Sequence, residues 1–584
     1  MRNLALLLTL SFAFASFASA EVQLHDNGSV INGTFNSNPV SIVTSPNSFY
    51  GYGAQSDAQN RVADDFVAGS GWRVESLRFA AYQTNAPNFT FTTANVEIRR
   101  GNDVNTAVTI YSESNLPVTD AGFIGYRVDS TNQSSTGRPV YRISVDITDT
   151  VLDEGQRYWI VWSLDGSLAS GPWIPQVMSG VDPLAGNGQQ SLNLGPFAPV
   201  EWGAGATSEL PFEVWGTALP VGYANMLIAC DSNRSVYSMS ITGAKTLIGT
   251  IPASASTSAG LAFDRQRAIL YLTSTGNDAL YRLNLSDFSA TLVGPFGDSA
   301  LVMHGLEYDN RSGILYGASQ HNGGLYSINT ETGQATLLGT TGLTSFLNLV
   351  DIGNSRMFAT SSGTDSFYRI DTSNAISQLV GPLTGPSNPN GITYHSGVDT
   401  IFLVDNTLDN LYFVNRNTGA ATLLGSTGTG NLLGLAFLGS RMEAIVRRGE
   451  LFEGDEVSLH AVDGDRYSIF NNPVSLAAVL DVNSYGHRTD SQEVGVLLVG
   501  SVGRPGISIN VRMRNATNGI YDFILGGVAT TTDSQLRTTV RSPNYVDSTG
   551  AAKLRITWAP INDEDATQDG WLHSLDMVYV NNQP

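Results

Sequence analysis

Five copies of one short apolar core, "SVYSM", "ALYRL", "GLYSI", "SFYRI" and "NLYFV", place tyrosines at Tyr237, Tyr281, Tyr326, Tyr368 and Tyr412, a repeat of 42 to 45 residues. A period in the forties built from short strands predicts β-propeller blades, because one such unit cannot bury both faces of its own sheet. In each copy the tyrosine and the residue two positions on (Met239, Leu283, Ile328, Ile370, Val414) lie on one strand face. A turn such as "TETG" or "RNTG" follows, whose Gly333 or Gly419 admits positive φ, and then a strand such as "ATLLG". Two more strands precede each core, as in "GLAFDRQRAILYLTS", so every unit supplies four strands, a to d.

The ends of the array predict how it closes. The first copy, "MLIACDSNRSVYSMSITGAKTLIGT", begins at strand b, and its missing strand a stands after the fifth copy as "LLGLAFLG" at 432–439. A ring of five blades spanning 221–440, closed by a strand from its far end, leaves no open sheet edge. The repeat resembles the "LYxIDxxTGxATLVGxTG" propeller repeats of many exported bacterial proteins. That resemblance implies a fold only, since such propellers carry unrelated functions.

On either side, alternating segments predict two β-sandwich, jelly-roll-like domains, one over 21–220 and one over 441–584. "WRVESLRFAAYQT", "PVYRISVDIT" and "RYWIVWSLDG" belong to the first, "ISINVRMR", "AKLRITWAP" and "LDMVYV" to the second. The stretch "RVADDFVAGSGWRVESLRFAAYQT" resembles an "ADDF…W…YQT" pattern of N-terminal modules in secreted bacterial proteins. "NGIYDFILGGVATTTDSQLRTTV" resembles a C-terminal module of modular secreted proteins from environmental bacteria. Neither resemblance implies an activity.

The chain opens "MRNLALLLTLSFAFASFASA", a basic residue, an apolar run and small residues at 18 and 20, which predicts a signal peptide over 1–20 and a secreted or periplasmic protein. No later apolar run approaches the roughly 20 residues of a membrane span. A single cysteine, Cys230, excludes an internal disulfide, and its apolar setting reads as core. Net charge is −21 with two lysines, Lys245 and Lys553, a balance that disfavours nucleic acid as a partner.

Candidate chemistry gathers in three places. Loops joining b to c and d to a are expected at the mouth of the ring's channel, with Asp231, His304, Gln320, His321, Asn390 and Asp405 as ligand-binding candidates, or as caps of their own turns. His304 and His321 fall in one blade and open a metal reading without a fixed third ligand. On the channel-lining strands the equivalent positions are Ala262, Glu307, Thr393 and Ala436, so Glu307 is the catalytic candidate if the protein is a glycosidase, which needs two carboxylates. Asp563, Asp565 and Asp569 in "NDEDATQDG" offer oxygens for calcium, without EF-hand order; no other cofactor is indicated. Six tryptophans, Trp72, Trp159, Trp162, Trp173, Trp202 and Trp215, are either core or a carbohydrate-stacking platform.

These readings favour an exported, non-catalytic binding or interaction protein whose partner is an extracellular polysaccharide or a surface protein. Two alternatives stand beside it: a polysaccharide-active glycoside hydrolase or lyase in the propeller, and a structural component of an extracellular layer or filament.

Overall fold

The computed structural model describes residues 21–44, 50–69, 71–153, 155–180, 182–203, 205–219, 222–343, 345–353, 355–461, 466–471, 477–490, 492–541, 543–561 and 571–581. Residues 1–20, the expected signal peptide, and 562–570, with the calcium candidates Asp563, Asp565 and Asp569, lie outside them. The fold is all-β: helix among the described residues is confined to four 3-10 turns of three or four residues. None is long and apolar enough to cross a membrane. The chain divides into two compact units, residues 21–219 and the chain from 220 onward.

The first unit is built on one extended antiparallel path whose 22-residue strand Val108–Asp129 serves two sheets. Its first part pairs with Phe91–Arg100 and its second with Pro139–Leu152. Folding the path over lets Leu77, Phe79 and Val145 share a core with Val96, Ile98, Ile160 and Trp162. Trp72, Trp159 and Trp162 are buried, whereas Trp173, Trp202 and Trp215 are half-buried.

In the second unit, four sheets of four antiparallel strands follow one another in sequence, over 258–295, 303–340, 346–382 and 389–426. A fifth combines Met226–Asp231, Ser235–Met239 and Lys245–Thr250 with Leu432–Leu438, which returns from the far end of the repeat. The register of that return pairs Leu227 with Phe437 and Ala229 with Leu435. Inner strands Ser258–Asp264, Met303–Asp309, Phe346–Asp351, Pro389–His395 and Leu432–Leu438 are neighbours in that order, and the last lies against the first. The arrangement is propeller-like, with cores shared between adjacent sheets: Tyr271 and Leu280 pack with Leu306 and Leu315, and Leu227 with Phe402 and Phe437. Cys230 is buried in this interior, its Sγ against the Ala259 carbonyl, and burial pushes its thiol up to about 12.

Glycine occupies one register position on four of the five inner strands: Gly260, Gly305, Gly391 and Gly434. A Cβ at Gly260 would stand 2.4 Å from the His304 carbonyl oxygen of the next strand, and one at Gly434 would stand 2.4 Å from that of Ala259. Asn348 holds the fifth position and donates from Nδ2 to the Pro389 carbonyl across the same seam at 3.2 Å.

Beyond the ring, two five-stranded sheets enclose one core. Leu480, Leu554, Ile556 and Val511 come from one sheet, and Val496, Leu498, Val578 and Val580 from the other.

Replacing Gly434 by Val forces backbone against backbone at the closing seam. Urea unfolding of the second unit is expected to show a loss of about 3 kcal/mol or more, at the upper end for overpacked interiors. Gly527→Ala, where an added Cβ meets nothing within 4 Å, is expected to leave the midpoint in place.

Candidate functional site

The b-to-c turns and d-to-a loops carry the polar candidates, and the structure divides them by what they bond. Asp231 is buried; its Oδ1 accepts from the N–H groups of Asn233 and Ser235 and its Oδ2 from the Tyr237 hydroxyl. Asp405, also buried, accepts from the backbone N–H groups of Thr407 and Leu408 on one oxygen and of Ser387 and Asn388 on the other. Both carboxylates are thereby engaged by the protein itself, Asp231 by its own turn and the next strand and Asp405 by its own turn and the loop at 387–388, leaving little for a ligand. Asn390 is buried and donates to the Asn388 carbonyl.

His304, Gln320 and His321 belong to the sheet over 303–340; Gln320 and His321 are exposed, His304 half-buried. Burial alone lowers the His304 imidazole below its ordinary range. Among the described residues no group of three or more His, Cys, Asp or Glu is arranged to hold a metal.

Glu307 lies toward the opposite end of the ring, where strands a run into strands b. Its side chain enters a cavity of about 60 Å³ that Ala262, Thr393 and Ala436 also line, one from each of three other inner strands. Three further groups, which the repeat pattern alone does not nominate, complete the chamber: Arg265, Asp351 and His460. Arg265 and Asp351 follow or end inner strands. His460 arrives from outside the repeat, at the end of the turn Glu456–Leu459, which Asp455 caps through the N–H groups of Val457 and Ser458. An ion pair of 2.9 Å between Arg311 and Asp455 fastens that turn to the ring, and Val457, His460 and Ala461 roof the chamber.

The electrostatics follow from burial. Desolvation first, then the Asp351 and Asp309 carboxylates, hold Glu307 well above the usual range, so it favours its neutral form. Arg265 donates weakly to the His460 carbonyl at 3.5 Å, lies 5.8 Å from the Phe437 ring centroid, and is pulled down to about 10 by burial. His460 is buried with neither ring nitrogen hydrogen-bonded, and burial followed by the Arg265 charge keeps it neutral, well below its usual range. Beside it His395 stacks on Phe437 at 3.9 Å and is lowered to about 3, chiefly by burial.

Size limits what this chamber can do. At roughly 15 Å³ per ordered water it holds about four waters, whereas small-molecule sites usually run to roughly 300–1,000 Å³.

No protein-family model matches the chain, and no curated protein matches it. Solved structures that match include a nidogen/laminin complex, 13% identical over 36% of this chain and 97% of that one, with a TM-score of 0.28. A catalytically inactive virginiamycin B lyase from Staphylococcus aureus with quinupristin is 9% identical over 58% and 97%, TM-score 0.25. A protein of unknown function from Bacteroides thetaiotaomicron is 12% identical over 61% and 95%, TM-score 0.28. At these TM-scores the likeness carries no argument, and the fold stands on the strand pairing described above.

Buried neutral histidines make stability depend on pH with a definite sign. His395, His460 and His573 have folded values below the unfolded 6.5, so their contribution is complete above about pH 6.5 and is lost as pH falls toward the folded values. At pH 5 the loss approaches about 2 kcal/mol for His395 and for His573, both lowered to about 3. Glu307, raised on folding, acts oppositely: its contribution is present below about pH 4.5 and is lost as pH rises. Urea midpoints measured from pH 5 to 8 are expected to fall on the acid side, less steeply in His573→Phe. In Glu307→Gln the alkaline side is expected to rise.

Proposed function

We propose that this protein is exported and non-catalytic, a five-bladed propeller over 221–440 flanked by β-sandwich modules over 21–220 and 441–584, and that it binds an extracellular polysaccharide or surface protein. The observation that carries the reading is the small size of the axial chamber, about 60 Å³, which Val457, His460 and Ala461 line from outside the repeat. Glu307, the one acidic residue at the equivalent positions lining the inner strands, sits in a space for about four waters, under a roof supplied by residues 457–461. A propeller hydrolase needs the reverse: two carboxylates in an open cleft on either side of a glycosidic bond. Asp351 lines the same chamber, but behind the same roof.

With only a small chamber at that end, binding falls to outer surfaces, where antiparallel sheets and their loops present side chains from a rigid frame. Export is supported by the character of residues 1–20.

Glycan arrays and surface extracts probed with residues 21–584 are expected to yield binding that survives Glu307→Gln unchanged. Release of reducing ends or unsaturated products from a glycan panel, abolished by Glu307→Gln, would instead establish the hydrolase or lyase alternative.

A further inference from the structure

The outer face of one C-terminal sheet departs from the charge of the rest of the molecule. In the sheet formed by Arg441–Arg448, Ala478–Tyr485, Ala552–Pro560, Ile507–Arg514 and Tyr521–Val528, Leu480, Leu554, Ile556, Val511 and Met513 enter the core. Period two sends their neighbours outward. The register aligns these neighbours across the strands: Asp481 stands opposite Arg555, Arg555 opposite Arg512, Arg512 opposite Phe523, and Arg514 opposite Tyr521.

Asp481, buried, is the one acid of this row and is shared: it accepts from Arg555 Nε at 2.7 Å and from Arg447 Nε at 2.8 Å. Arg512 and Arg514 have no ion-pair partner among the described residues. Lys553 is balanced by Asp547 at 3.5 Å. Four guanidinium groups thus surround Asp481, while Glu443, the other acid of this face, stands opposite Asn483 and accepts from Asn483 Nδ2 at 2.9 Å and the Tyr485 hydroxyl at 3.0 Å, on a chain whose net charge is −21. Aromatic surface lies among them, with Arg555 4.3 Å from the Tyr521 ring centroid and Phe523 59% exposed at the edge strand.

We propose that this face binds an acidic polysaccharide, its carboxylates taken by Arg512 and Arg514 and its sugar rings laid on Tyr521 and Phe523. The proposal rests on the binding reading above and names the ligand class and the site. A planar guanidinium meets a carboxylate with two parallel hydrogen bonds, and an aromatic face suits the apolar side of a sugar ring. Charge complementarity selects an anionic occupant. At a net charge of −21 the chain repels a polyphosphate, with about one charge per nucleotide unit and no apolar sugar face presented, more than a polyuronate with one carboxylate per sugar.

The test uses residues 21–584 with polygalacturonate as probe and dextran, single-stranded DNA and the protein alone as comparisons, in affinity electrophoresis and sedimentation. Polygalacturonate is expected to retard the protein and dextran not, with affinity at least tenfold weaker in R512A/R514A, several-fold weaker in Y521A, and reduced by salt. Melting temperatures report whether the variants fold, and R512Q/R514Q replaces the alanine pair if they do not. Undiminished retardation of either double variant overturns the site. Binding of a neutral glycan or a surface protein, without binding of polygalacturonate, overturns the ligand class and leaves the binding reading standing; absence of any partner overturns both. Retention by DNA, or a dimer that forms at high concentration and is lost in R512A/R514A, assigns the face to nucleic acid or to a second copy and likewise overturns the proposal.

Discussion

The approach of backbone to backbone between inner strands is the constraint on which the repeat depends. At Gly260 and Gly434 a Cβ would come within 2.4 Å of the neighbouring strand's carbonyl oxygen, closer than side-chain carbons pack. The same rule operates at the rim: a Cβ at Gly294 or Gly381 would meet the turn carbonyl of Thr332 or Thr418 on the following sheet, and one at Gly425 would meet that of Thr242 on the first. Most neighbouring sheets are thus held together at the inner or the outer strand by approaches that glycine permits, with Asn348 bridging the one inner seam that lacks it. The rim series also explains the glycine ending the repeated "ATLLG": it leaves room for the next unit's turn. Because both series run from the last sheet to the first, closure needs no special device beyond the returning strand Leu432–Leu438, which supplies Gly434 itself.

Much of this was legible because repetition turns a weak local signal into a strong one. A single "GLYSI" reads as any buried strand, but five at a near-constant spacing define the unit, and the strand missing from the first copy names the strand that completes it. The axial chamber was legible only in part. Alternation along the inner strands puts Ala262, Glu307, Thr393 and Ala436 on one face, and the structure lines one cavity with all four. Arg265 and Asp351 fall where a strand gives way to a turn and period two no longer fixes direction. His460 lies outside the repeat, so no register relates it to the axis. Which segment covers a ring is a tertiary question that hydrophobic period does not address.

The mouth residues illustrate a different limit. Asp and Asn are chosen for turns for the same reason they are chosen for ligands, a short side chain with exposed oxygen acceptors. Asp231 and Asp405 are alike in sequence to residues that bind something, and their hydrogen bonds go to the protein itself. Gln320 and His321, equally polar and in an equivalent turn, remain exposed. Sequence gives the side chain; only the path of the neighbouring loop decides whether backbone N–H groups saturate it.

The roof over the chamber connects the repeat to the sheets that follow it. Asp455 serves two purposes, capping the turn that carries His460 toward the axis and pairing with Arg311 on the ring. Partial desolvation acts on Arg265, Glu307 and His460 together, and each departs from its ordinary titration in the direction that removes or weakens charge. Glu307 and His460 thereby favour their neutral forms. The arginines of the C-terminal sheet are the opposite case. Arg447 and Arg555 keep their charge in water while Asp481 holds them in place, and Arg512 and Arg514 stand without a partner. At the axis burial weakens charge, whereas on the outer sheet Arg512 is exposed and Arg447 and Arg555 share Asp481: the two places differ in what a charged group can meet there.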